Sequence, residues 1–174
     1  MSLITETLSK YLRNNFIETG SSNGDGIQLA IDCGFKNIFS IEINEERYFF
    51  CKNRFKDNKN VNLYLGDSLD KLIDILLKIS EPSTFWLDAH PCSRKEMYGK
   101  IVCPVLIEIE LILKNNLKHH ILIDDKRLFV RSKNLVGKVS YANILDKFKE
   151  LNTNSHTKLE NGTWRKDIIS YTGQ

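Results

Sequence analysis

Residues 16–43 read FIETGSSNGDGIQLAIDCGFKNIFSIEI. Phe16-Ile17-Glu18 is a short apolar run that suits a strand, and it gives way to a loop holding Gly20, Gly24 and Gly26. Ile27, Leu29, Ala30 and Ile31 then fall in a helical segment that stops at Gly34, placed as a C′ glycine. Ile38 to Ile43 is apolar again and reads as a second strand. A strand, a glycine turn, a helix and a strand make one βαβ unit, which implies a parallel pair.

The same alternation runs outward in both directions. A helix is predicted around residues 3–14. Asn44 is placed to cap a helix from Glu45 to Phe55, and Val61–Leu65 is the third strand. Apolar residues at 69, 72, 73, 76 and 77 give Leu69–Ile79 helical spacing. Thr84–Leu87 is apolar enough for a strand covered on both faces. Pro104 opens a helix that continues from Val105 to Leu113, His120–Ile123 is the fifth strand, and Tyr141–Leu151 the last helix. Thr157–Leu159 and Ile168–Tyr171 fit an antiparallel hairpin, with Asn161-Gly162 as its tight turn. The expected class is α/β, a doubly wound, mostly parallel sheet with a C-terminal antiparallel hairpin.

Composition narrows the field. A chain of 174 residues is one domain, 1–174, with an N-terminal helix (1–15) and a core (16–174). With 41% hydrophobic and 27% charged residues it can bury a core, and a formal net charge of +3 is too mild to indicate nucleic acid. No apolar run reaches the ~20 residues of a membrane helix, and MSLITETLSKYLRNNF lacks the layout of a signal peptide, so no membrane partner and a cytoplasmic location are expected. Cys33, Cys51, Cys92 and Cys103 form no CxxC pair and read as structural thiols.

Ligands of open α/β sheets bind beyond the carboxyl ends of the strands. Each of the five strands ends in an acid or is followed directly by one: Glu18 before the glycine loop, Glu42, Asp67 in Gly66-Asp67-Ser68, Asp88 in Asp88-Ala89-His90, and Asp124-Asp125. For Asp67 and Ser68 taken alone, helix capping and a ligand role explain the residues equally well, but carboxylates gathered on one rim repel unless a ligand uses them. The loop Glu18–Gly26 is neither GxGxxG nor GxxxxGK[ST], no Lys follows it, and Asp25 would repel phosphate. A cationic or neutral nucleoside suits it better.

These residues resemble the class I S-adenosylmethionine (SAM)-dependent methyltransferases, over roughly residue 15 to the end. Glu18-x-Gly20-x-x-x-Gly24 is similar to that family's acidic residue and glycine turn, and Glu42 to the acid that holds the ribose hydroxyls. The resemblance implies a Rossmann-like methyltransferase fold and a cofactor site of Glu18, Gly20, Ser21, Ser22, Asn23, Gly24, Glu42, Ile43, Asp67, Ser68 and Asp88. Phe85-Trp86-Leu87-Asp88-Ala89-His90 and Leu122-Ile123-Asp124-Asp125 look similar to the metal-dependent O-methyltransferases, catechol-type and macrocin-type. That likeness implies a divalent ion on Asp88, Asp124 and Asp125, with Mg²⁺ favoured and Mn²⁺ also suited because of His90. Where catechol enzymes carry a Lys three positions after the strand-four Asp, this chain has Pro91. His90 is therefore the expected base, with Lys126 behind it.

The expected activity is SAM-dependent, metal-assisted O-methylation of a small hydroxylated acceptor such as a sugar or nucleotide sugar. The alternatives are a catalytically inactive subunit of the same fold and an RNA methyltransferase. A homodimer is compatible with the chain. The loops 91–103 and 126–140 leave the ligand rim, and Arg94, Lys95, Lys100, Lys126, Arg127, Arg131, Lys133 and Lys138 would favour an anionic acceptor. His119 and His120 precede strand five, at the far end of the sheet, and are read as structural.

Overall fold

The computed structural model describes residues 3–91, 101–131, 136–152 and 156–173. Seven strands form one sheet: β1 (Asn15–Thr19), β2 (Asn37–Glu42), β3 (Val61–Leu65), β4 (Thr84–Leu87), β5 (His120–Ile123), β6 (His156–Glu160) and β7 (Ile168–Thr172), in the order β3-β2-β1-β4-β5-β7-β6. The first five are parallel, as expected, while β7 runs antiparallel to both β5 and β6. The strand order reverses between β1 and β4, and a crevice opens there above the carboxyl ends.

Alternation along each strand divides the core. Phe16, Ile38, Trp86, Leu122 and Ile168 face one side, and Ile17, Ile41, Phe85, Ile121, Ile123 and Ile169 the other. The first side is covered by α1 (Thr5–Leu8), α2 (Asp25–Cys33) and α3 (Glu45–Arg54). The second is covered by α4 (Ser68–Leu76), α5 (Val105–Leu113) and α7 (Tyr141–Leu151). The central strands β1 and β4 are buried on both faces, which is why they lack the polar alternation of a half-exposed sheet, while the edge strands β3 and β6 are partly exposed. Cys51 and Cys103 are buried free thiols, Cys33 is a partly buried one, and Cys92 lies outside the described residues. No helix among the described residues is long and apolar enough to cross a membrane.

The chain departs from the sequence expectations in four places. The helix predicted over 3–14 is one α-turn, Thr5–Leu8, and a 3₁₀ turn, Ser9–Tyr11. It ends there because the Asn14 carbonyl must accept the Lys36 and Asn37 amides beside β1. The helix predicted to reach Ile79 is assigned to Leu76, and a turn carries the chain on to Ile79. The segment after β5 is no plain loop: it forms α6 (Lys126–Arg131). The β6–β7 connection is not a tight Asn161-Gly162 turn. The register pairs Glu160 with Ile168 and leaves residues 161–167 to bridge the strands, with the Asn161 side chain accepting the Lys166 amide at 3.1 Å.

Candidate functional site

One cleft sits above the β1/β4 reversal, lined by the glycine loop and the ends of β2, β3 and β4. Gly20 is the pivot of that loop. Its φ is +88°, and a Cβ there would come within 2.5 Å of the Asp88 carbonyl oxygen. Only a residue without a side chain lets β1 turn this closely over the end of β4. The Gly20 and Ser21 amides donate to the Ile41 carbonyl at 2.9 and 3.1 Å, which ties the loop to β2. Helix α3 braces it from behind: Arg54 Nη1 donates to the Asn23 carbonyl at 2.6 Å, and Cys51 Sγ lies 3.4 Å from that of Ser22. Asp25, the first residue of α2, pairs with Arg54 at 3.0 Å.

The two acids predicted for the cofactor occupy different settings. Glu18 is buried, and its Oε2 accepts the Ser40 hydroxyl at 2.5 Å, with Ser21 Oγ a further 2.5 Å beyond. Burial pushes its pKa up to about 8, the Ser40 hydrogen bond partly offsets this, and the charges of Glu42 and Asp25 add to the rise. Glu42 receives the Ser22 amide on Oε2 at 2.7 Å and the Asn44 amide on Oε1 at 2.8 Å, a two-sided grip that fixes the carboxylate at the cleft wall. Ile43, Asn23, Gly26, Gly66, Asp67 and Ser68 complete this half of the lining. The Asp67 side chain accepts the Leu69 amide at 3.0 Å and so caps α4 while also facing the cleft.

The other half is lined by Asp88, His90 and the apolar Pro91, Ile101, Val102 and Pro104, and further acids stand close to His90 outside the lining. Asp88 Oδ1 lies 3.9 Å and Asp125 Oδ2 3.7 Å from His90 Nε2. The His90 side chain is 1% exposed, and Nε2 has no hydrogen-bond partner among the described residues. The edge of its ring packs on Phe129, with centroids 5.3 Å apart. Burial, with Asp124, Asp125 and Glu18 adding their charge, raises the pKa of Asp88 well above the usual carboxylate range. Asp125 holds a left-handed backbone, φ +54°, and its amide donates to Asp124 Oδ1 at 2.7 Å. Arg127 Nη1 reaches Asp125 Oδ1 at 2.6 Å and also binds Asp167, whose Oδ1 accepts the Arg127 amide at 2.8 Å. Among the described residues two groups bring ligand atoms within 4.8 Å of one another: Asp88–His90–Asp125 and Asp124–Asp125–Asp167.

Two of these residues were not singled out in the sequence. Asp167 stands before β7, and because β7 is antiparallel its start lies at the same rim as the ends of β1–β5. Glu108 lies on the buried face of α5 with Val105, Ile109 and Ile112. A carboxyl at that spacing in an apolar helix was the available signal. Burial pushes its pKa up to about 7, partly offset by the Ser68 hydroxyl, and His90 lies within electrostatic reach. The expected rim cations are only partly in view: Arg94, Lys95, Lys100 and Lys133 lie outside the described residues, as does the Arg131 side chain. Arg127 is engaged by Asp125 and Asp167, and Lys126 Nζ lies 5.6 Å from the Tyr141 ring centroid. His119 and His120 lie at the amino end of β5, away from the cleft, where His119 Nδ1 accepts the Ser83 amide at 3.0 Å.

No protein-family model matches the chain, and no curated protein does. Solved structures do. An O-methyltransferase from Bacillus cereus in complex with S-adenosylhomocysteine (SAH) is 17% identical, superposes with a TM-score of 0.66, and is matched over 98% of this chain and 78% of its own. The O-methyltransferase TomG from Streptomyces achromogenes, in complex with SAM, is 12% identical over 97% and 76% of the two chains, with a TM-score of 0.66. A protein from Clostridium thermocellum described as an rRNA methylase gives 0.69 at 9% identity, over 98% and 95%. At such identities the likeness establishes architecture. Its extent, with the strand order and the antiparallel β7, gives the chain the Rossmann-like fold of the class I SAM-dependent methyltransferases.

Proposed function

We propose that the chain is a SAM-dependent methyltransferase that methylates a hydroxyl oxygen of a small acceptor, of the sugar or nucleotide-sugar kind, with help from a divalent ion. One observation carries this reading: the Gly20–Glu42 cradle shares one cleft with Asp88 and His90, and Asp125 Oδ2 lies 3.7 Å from His90 Nε2. The cradle fits the cofactor in two respects. Gly20 lets the loop bend tightly over the end of β4, and the loop residues Gly20 to Asn23 line the cleft, where their backbone can meet a ligand closely. Glu42 offers a carboxylate held at both oxygens, so that it can receive ribose hydroxyls without moving, and Glu18 beside it is an acid that a cationic nucleoside would favour in its ionised form.

SAM, when bound, supplies an electrophilic methyl group, which passes to the acceptor oxygen as the carbon–sulfur bond breaks and SAH is left. What the protein contributes is alignment, because an in-line displacement depends on holding the two reactants close and collinear. Asp67 and Ser68 wall the cleft beyond β3, and Asp88 and His90 border it where the acceptor must enter. A divalent ion held among the strand-end carboxylates would lower the acceptor's pKa and orient its oxygen. The hydroxyl proton would be taken by the Asp88–His90–Asp125 group, in which His90 and Asp125 are buried and Asp88 borders the cleft.

Calorimetry with SAH tests the first half: wild type binds and Glu42→Ala binds at least about tenfold more weakly. Undiminished binding in Glu42→Ala would remove the basis of the reading. The second half is tested by turnover on a panel of sugars, nucleotide sugars, catechols and short RNA. Activity should appear on hydroxylated small molecules and vanish with chelator while SAH still binds. Turnover confined to RNA would overturn the acceptor class.

A further inference from the structure

The divalent ion of the proposed reaction would have an imidazole nitrogen within reach as well as carboxylates. We infer that His90 is itself a ligand, and that Asp88, His90 and Asp125 form a mixed nitrogen–oxygen site for a first-row transition ion, Mn²⁺, Fe²⁺, Co²⁺ or Zn²⁺, in preference to Mg²⁺. The assignment rests on the metal-assisted reading of the same cleft and makes its ligand set specific.

Three features lead to it. The His90 ring is buried, and its Nε2 has no hydrogen-bond partner among the described residues, a costly condition for a polar atom away from water. That nitrogen lies 3.9 Å from one carboxylate oxygen and 3.7 Å from another, too far for hydrogen bonds yet close enough for all three atoms to share a cation. The backbone is also committed to the arrangement. Asp125 takes up a left-handed conformation, disfavoured for any residue with a side chain, and the Asp124 carboxylate holds it there by accepting the Asp125 amide. Asp124 is then a positioning residue, acting through Asp125.

Arg127 fixes the Asp125 carboxylate: the guanidinium holds Oδ1 at 2.6 Å, and Oδ2 lies 3.7 Å from His90 Nε2. Asp88, on the other side, is drawn in by β4, whose extension donates the Asp88 amide to the Thr19 carbonyl at 3.0 Å. Imidazole is a poor ligand for Mg²⁺, which favours oxygen and retained water, but suits the later first-row ions. The same assignment removes His90 from the role of base, since a nitrogen that holds an ion cannot take a proton.

The probes are the ions themselves. Chelator-treated wild type is titrated calorimetrically with Mn²⁺, Co²⁺, Zn²⁺ and Mg²⁺, and bound Mn²⁺ is examined by pulsed electron paramagnetic resonance. The expected result is Mn²⁺ binding at least about tenfold tighter than Mg²⁺, with a nitrogen coupling from one coordinated imidazole. His90→Asn should remove the coupling and weaken Mn²⁺ by about tenfold or more, while changing Mg²⁺ by less than about threefold. Absence of the coupling in wild type overturns the assignment whether or not the variant folds, as does failure to bind Mn²⁺ at millimolar concentration. SAH titration of the same chelated wild type separates the two readings. SAH binding without Mn²⁺ binding overturns the ion site alone, and Mn²⁺ binding with the coupling but without SAH binding supports the site and overturns the methyltransferase reading.

Discussion

Replacing Gly20 by Ala tests whether the crossing of the glycine loop over β4 holds the cleft together. Gly20 and Gly34 both sit at φ +88°, so an Ala at either meets the same backbone penalty, about 1–2 kcal/mol for a left-handed residue with a Cβ. Their surroundings differ. Nothing lies within 4 Å of a Cβ at Gly34, whereas one at Gly20 would meet the Asp88 carbonyl oxygen at 2.5 Å, its carbon at 2.9 Å and the Ala89 Cα at 3.2 Å. All three are backbone atoms, so relief requires the loop or the end of β4 to move by about 0.5 Å or more, at a further cost of about 1–3 kcal/mol, as for overpacked cores. Gly34→Ala should therefore cost about 1–2 kcal/mol and Gly20→Ala about 2–5 kcal/mol in urea unfolding. The displaced segment carries the Asp88 amide bond to Thr19 and the Gly20 and Ser21 bonds to Ile41, all at the cleft floor. SAH affinity in calorimetry should then fall by at least about tenfold in Gly20→Ala and stay within about threefold in Gly34→Ala. Equal stability losses, or SAH binding that is unaffected in Gly20→Ala, would refute the argument.

Further outcomes follow from buried ionisable groups. Glu18 is held protonated up to about pH 8 by burial, so its ionisation destabilises the fold as pH rises from its ordinary carboxylate range toward 8. Glu18→Gln should melt several degrees higher than wild type at pH 8 and match it near pH 4, as read by thermal denaturation; a gap independent of pH would contradict this. Cofactor binding near pH 7 should release close to one proton from Glu18, visible as a buffer-dependent binding enthalpy, and Glu18→Gln should abolish the release. His119 is wholly buried and burial pulls its pKa down to about 4, so the stability that it supports above its ordinary pKa is lost as pH falls from about 6.5 toward 4. His119→Asn should flatten the acid limb of a urea-stability profile, and an unchanged slope would count against the buried neutral form. Asp167→Ala removes two charge-assisted bonds to Arg127 and should cost about 1.5–3 kcal/mol in urea unfolding. It should also loosen Arg127 on Asp125.

The parallel half of the sheet was legible because each of its strands is apolar on both faces and each helix carries a regular stripe. The hydrophobic alternation of Phe16-Ile17, Phe85-Trp86 and Ile121-Leu122 goes directly into two separate cores. Asn44, Gly34 and Asp67 cap helices where a sequence reading places them. The failures share a cause. Where the chain turns, long-range bonds outweigh local propensity: Asn14 ends the first helix by serving β2, and the Glu160–Ile168 register overrides the Asn-Gly signal. For the site, looking just past each strand finds Glu18, Glu42, Asp88 and Asp125, but misses Asp167, which precedes its strand. His90 was noticed, but its position between two carboxylate oxygens depends on the left-handed turn at Asp125, and no propensity announces that turn.

The placement of β7 also bears on how the molecule is made. The strand that separates β5 from β6 is the seventh in chain order, and it brings Asp167 to Arg127. While the chain emerges from the ribosome, β5 therefore presents an unpaired edge until residue 172 is free, and Arg127 has no Asp167 to hold it against Asp125. The five-stranded part can assemble early, but the acidic corner beside the cleft is completed last. A nascent chain is thus kept from closing its acidic corner before the sheet itself is closed, and the exposed edge of β5 is the point at which interrupted synthesis would lead to aggregation.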